Sequence, residues 1–115
     1  MIDRSTFVND KPLGSLQDAI DLIGDASYWH QASWVAVRVE DLPEGFFVLS
    51  SGVAGEIVQK FAQYGMGLAV VGDVSSYEVS STPFRDWVRE SNRGRQLWFV
   101  ADVEALEEKR RETGR

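Results

Sequence analysis

SSGVAGEIVQKFAQYGMGLAVVG, residues 50–72, reads as a polar, glycine-marked turn, an amphipathic helix, a glycine stop and a short apolar strand. Val53, Ala54, Ile57, Val58, Phe61 and Tyr64 recur at helical spacing and so share one face. Glu56, Gln59, Lys60 and Gln63 take the other, with Glu56 four residues before Lys60, the order that favours a modest surface ion pair. The hydroxyl of Ser50 or Ser51 can accept from a free N–H of the first turn, and Gly65 stands where a left-handed residue would end the helix. Residues 68–71, LAVV, are a continuous apolar run between Gly67 and Gly72. The run is too short for a buried helix and suits a strand covered on both faces, as in a parallel sheet.

Toward the C-terminus, residues 73–82 read as a polar loop containing Tyr77. Thr82 caps a helix with Pro83 in its first turn. Phe84, Trp87, Val88 and Ser91 line one face of that helix, and residues 92–95 end it with Asn92 or Gly94 as a left-handed cap. Residues 97–100, LWFV, form another strand. Asp102 caps a last helix that turns Val103, Ala105 and Leu106 inward, and residues 109–115 are a charged, fraying tail.

Toward the N-terminus, residues 46–49, FFVL, are a brief strand or a plug feeding the central helix, preceded by an acidic loop over 40–45. Residues 34–39 are a strand with Val35, Val37 and Val39 on one side and Trp34, Ala36 and Arg38 on the other. Ser15 opens a capping pattern with Asp18. Leu16, Ala19, Ile20 and Ile23 then share a helix face, Gly24 stops that helix, and residues 26–31 are irregular with Tyr28 and Trp29 as lids on the core. Residues 1–10 are an edge strand or a tail anchored by Phe7 and Val8. Strands alternating with helices imply an α/β fold: one domain over residues 1–115, a mainly parallel sheet of about four strands, about four helices and right-handed crossovers.

Composition narrows the function. The 115 residues are long enough for one real core. A net charge of −6 disfavours nucleic acid. No segment is long and apolar enough to span a bilayer, and MIDRSTFV lacks a signal-peptide core. The absence of cysteine excludes disulfides, thiol nucleophiles and cysteine metal sites. The expected location is the cytoplasm.

At FFVLSSGVAGEIVQKF, LAVVGD and FRDWVRESNRGR the chain resembles a bacterial domain-of-unknown-function family, number 4180. The resemblance runs from the QDAIDLIG helix to the final helix and rests on Phe46-Phe47, Gly52, Ala54-Gly55-Glu56, Gln59-Lys60-Phe61, Gly72-Asp73 and Glu90-Ser91-Asn92. The family pattern has an acidic residue after the two phenylalanines and a basic one before the Ser/Thr-Gly pair, where this chain has Val48 and Ser50. It implies a fold rather than an activity. A weaker resemblance, carried by LSSG, a helix and GLAVVG, is to the STAS domains of sulfate transporters and anti-sigma-factor antagonists. Those domains act by docking a partner and are phosphorylated on a serine that matches Ser50; the aspartate that precedes it there is Leu49 here. This second resemblance implies a STAS-like architecture.

The candidate ligand-binding residues are Ser50, Ser51, Gly52, Gly72, Asp73, Asn92, Arg93 and Arg95. Ser50-Ser51-Gly52 begins a helix, where free N–H groups and the dipole favour an anion, although an ordinary cap is the commoner use. Gly72-Asp73 leaves an inner strand at the end where α/β sheets hold ligands, although a turn explains it as well. Glu40 and Asp41 leave another strand at the same end. Arg93 and Arg95, with Arg89 and Asn92, form the local basic cluster, suited to phosphate or carboxylate or simply to a helix C-terminus. His30, the sole histidine, has no recognisable nucleophile motif around it. Gly55 reads as a helix-packing residue. No catalytic set, metal site or cofactor is expected. The leading expectation is a non-enzymatic regulatory or protein-interaction domain with an unknown protein partner. The alternative is a small anionic ligand or nucleotide-binding domain, with weak hydrolase activity at most. A homodimer built through exposed aromatics is a third option.

Overall fold

The computed structural model describes residues 5–114. Four parallel strands, β1 (Thr6–Val8), β2 (Trp34–Arg38), β3 (Gly67–Val71) and β4 (Leu97–Val100), lie in the order β1-β2-β3-β4. The two runs LAVV and LWFV pair directly, with Leu68 opposite Leu97 and Val71 opposite Val100. Three helices connect the strands across one face: α1 (Leu16–His30), α2 (Val53–Gln63) and α4 (Thr82–Arg93). A short α3 (Ser75–Ser80) precedes α4, and α5 (Val103–Thr113) closes the chain. Successive crossovers that step the same way and share one hand must put their helices on one side of the sheet.

The alternation within each strand decides which face it fills. Val35, Val37, Leu68, Val70, Leu97 and Phe99 point into the larger core, against Ala19 and Ile23 of α1, Ile57 and Phe61 of α2, and Phe84 and Val88 of α4. Trp34, Ala36, Ala69 and Trp98 point the other way, and Leu106 of α5 packs on them. The second face is therefore covered by a single helix and filled by two indoles rather than by many aliphatic chains.

Several elements depart from the sequence reading. Gly24 does not stop α1, which runs on to His30 and ends at Gln31 in the left-handed region (φ 51). Tyr28 and Trp29 are consequently on the solvent side of a helix, 75% and 71% exposed, instead of lids on the core. Residues 46–49 are 3-10 turns rather than a strand, and Phe46 and Phe47 are buried as a plug beneath α2. The loop expected over 73–82 contains α3, and the cap of α4 is Ser81, whose Oγ accepts from the Phe84 N–H. Gly94 ends α4 with φ −89, so neither it nor Asn92 is a left-handed cap. Gly55 is exposed with open space at its Cα and packs on nothing.

Residues 1–4 of the expected edge strand or tail, and Arg115 of the expected tail, lie outside the described residues; β1 is the edge strand that follows them. At the other end, helix continues to Thr113 and Arg110 is buried, so described residues 109–113 do not form a fraying tail. No helix among the described residues is long and apolar enough to cross a membrane.

Candidate functional site

β3 ends at Val71, and the next residue, Gly72, has a φ of 131° that only glycine adopts without strain. A Cβ there would also approach Val39 Cγ2 to 3.1 Å. The chain can therefore turn sharply between β3 and α3, and this opens a cleft of about 450 Å³ beyond the C-terminal ends of β3 and β4. Gly72, Asp73 and Asn92 line it together with Val74, Glu78 and Phe99. Asp73 Oδ1 accepts from the Ser75 N–H at 2.8 Å. Hydrogen bonds from Ser75, side chain before backbone, hold the Asp73 carboxyl below the ordinary aspartate range. The Asn92 amide is spent on the strand beside it: Oδ1 accepts from Phe99 N–H at 2.7 Å and Nδ2 donates to Phe99 O at 3.3 Å. Its carbonyl accepts from Lys109 Nζ at 2.7 Å, so Asn92 ties α4, β4 and α5 together.

The other five expected site residues do not join that cleft. Ser50 lines a separate cleft of about 500 Å³ with Phe47, Val48, Tyr77 and Pro83. Ser51 Oγ donates to Gly45 O at 2.6 Å and accepts from Val53 N–H at 3.2 Å, which makes it part of the helix start. Gly52 (φ 80) is the residue on which α2 begins. Arg93 pairs with Glu90 at 3.6 Å on the surface. Arg95 precedes β4, at the opposite end of the sheet from Gly72, and donates to Thr113 O at 3.0 Å. The charged groups lining the Gly72 cleft are the carboxylates of Asp73 and Glu78.

Glu40, Asp41 and Asp73 do not gather either. Asp41 is buried and held by Arg38, at 2.8 Å from Nε and 3.3 Å from Nη2. No group of three or more His, Cys, Asp or Glu among the described residues is placed to hold a metal ion. His30 is exposed with its ring 4.5 Å from that of Phe7.

Sequence reasoning missed a third cleft, of about 210 Å³, between the exit of β1 and the flank of α1. Asn9, Asp10, Lys11, Asp18, Asp21 and Asp25 line it over apolar side chains that include Leu13 and Leu22. The available signal was the spacing of Asp18, Asp21 and Asp25, which puts three carboxylates along one side of a helix only if that helix passes Gly24.

A family model described as Domain of unknown function (DUF4180) matches residues 5–109. No curated protein and no solved structure matches the chain.

Proposed function

The chain belongs to the DUF4180 family of domains of unknown function, and from that premise we propose that it is a non-enzymatic regulatory domain that works by docking a protein partner. The observation that carries this reading is at the end of α1. Tyr28 and Trp29 pack edge to face on one another, centroids 4.7 Å apart, and neither contributes to the core. Aromatic side chains left this exposed supply contact area at low entropic cost and are favoured anchors of interfaces. The solvent side of the same helix carries Asp18, Asp21 and Asp25 with no Lys or Arg between Leu16 and His30. The partner segment that fits is therefore apolar and basic, since Lys and Arg pair with the carboxylates and stack on the rings.

The test begins with capture from the native host and continues with the purified partner. Tyr28→Ser with Trp29→Ser should weaken a specific complex by tenfold or more, about 1.4 kcal/mol, and high salt should weaken it further. Equal affinity of the double variant, or a turnover found in place of a partner, would reject the reading. Light scattering on the free protein distinguishes a second copy seated on the same aromatics.

A second reading has one observation in its favour: Gly72, Asp73 and Asn92 meet in one cleft at the strand ends, where small ligands of α/β folds bind. Its acidic lining is unsuited to a nucleotide or other anion, which is why docking is preferred. Thermal stabilisation of the protein by an anionic metabolite would reverse that preference.

A further inference from the structure

We infer that the cleft between β1 and α1 is a binding site for a compact organic cation, a protonated amine or a guanidinium group. This goes beyond partner docking to a defined cleft, although Asp18, Asp21 and Asp25 serve both readings. The decisive residue is Asn9, which is 5% exposed. Its backbone N–H donates to Ala36 O at 2.9 Å, and its side chain lies 2.6 Å from Lys11 O. A carbonyl oxygen only accepts, so the amide must present Nδ2 to Lys11, and Oδ1 is the atom that remains. Oδ1 has no hydrogen-bond partner among the described residues. A buried acceptor without a donor is costly and marks a place where a donor belongs.

The surroundings say which donor. Asp10, Asp18, Asp21 and Asp25 line the cleft against the single cation Lys11, which is exposed. Asp18 uses Oδ2 on the Gly14 N–H at 2.8 Å, and Asp21 uses Oδ1 on Gln17 Nε2 at 2.9 Å, leaving the second oxygen of each without a partner among the described residues. Asp10 also acts electrostatically on Arg38, which is itself held by Asp41. The carboxylates are strung along the cleft and not gathered as a metal site would require. That spacing suits a cation whose charge and N–H groups spread over several atoms, all donors and no acceptor, above the apolar floor of Leu13 and Leu22. A volume of about 210 Å³ is smaller than clefts for drug-sized ligands and suits a compact one.

Titration of the isotope-labelled full chain with agmatine, putrescine, capped arginine and the uncharged control butylurea, followed by amide NMR, tests this. The expected result is a saturable shift of the Asn9 side-chain amide and of residues around Asp21 and Asp25, produced by the cations and not by butylurea. Asp21→Asn with Asp25→Asn, both at exposed positions, should weaken it roughly tenfold or more. Saturation by the free amines alone identifies a small-molecule amine as occupant, and saturation by capped arginine as well identifies a protein side chain. Absence of saturable shifts, an equal response to butylurea, or shifts indifferent to the double variant would overturn the assignment.

Discussion

Trp34 and Trp98 stack with ring centroids 4.0 Å apart and planes at 21°, although β3 lies between the strands that carry them. The residues that β3 places between them are Gly67, opposite Trp34, and Ala69, opposite Trp98. With so little side chain in between, the two indoles lean over the central strand and meet. Gly67 is thus required for space: a Cβ there would lie 2.5 Å from Trp34 Cδ2 and Cε2. Gly67→Ala should cost about 1–3 kcal/mol through overpacking. It should lower the urea midpoint and diminish the near-ultraviolet circular dichroism of the stacked pair.

The second prediction concerns the end of α5. Arg110 reaches back across the sheet to hydrogen-bond Thr6 Oγ1, Ser5 Oγ at 2.6 Å and Ser33 Oγ at 3.1 Å, and it pairs with buried Glu107 at 3.8 Å. One guanidinium thus joins the last helix to the starts of β1 and β2. Arg110→Ala removes the buried guanidinium, its three hydroxyl contacts and one ion-pair partner of Glu107, and should cost about 3–5 kcal/mol. Lysine cannot reproduce the fork and should rescue little of it. Urea unfolding of both variants, alongside a truncation after Lys109, checks this.

The same helix shows where sequence reading stops. Composition makes residues 109–115 look like a solvated charge run, because the hydroxyl partners of Arg110 are 77 to 105 residues away and no local pattern reveals them. LAVV, between Gly67 and Gly72, and LWFV, between Gln96 and Ala101-Asp102, were legible because a short apolar run needs only its neighbours to be read. α3 was missed because serine-rich residues 75–80 have little helix propensity of their own and are held against α4. Of the site, Gly72 and Asp73 were legible as a strand exit. Asn92 was legible only as a helix end, and the scatter of Ser50, Arg93 and Arg95 to other surfaces follows from topology rather than from any residue's chemistry.

The third prediction tests the misread end of α1. Gly24 is in the helix interior, where an added Cβ would meet nothing within 4 Å, whereas Gln31, a poor residue for φ 51, ends the helix. The two residue types stand in each other's best places. Gly24→Ala should stabilise the fold by about 0.5–1 kcal/mol, and Gln31→Gly should stabilise it as well by relieving left-handed strain. The measurement is the thermal midpoint of each variant; a fall on Gly24→Ala would mean that the helix breaks at Gly24 in solution.

The fourth prediction is the protonation of Asp73. Hydrogen bonds from Ser75 favour its ionised form, so its folded value lies below the ordinary 3.8. A depressed carboxylate contributes stability that is present in full above the unfolded value. That contribution is lost as pH falls through the folded one, so the window lies below pH 3.8. Ser75→Ala removes the hydroxyl and keeps the backbone N–H at 2.8 Å. The Asp73 midpoint should therefore rise only part of the way to the ordinary value, as followed by carboxyl NMR, and the difference in stability between wild type and variant should shrink as the pH is lowered. An unchanged midpoint would mean that the Ser75 hydroxyl does not hold Asp73 in solution and that the backbone N–H alone fixes the carboxylate at the Gly72 cleft.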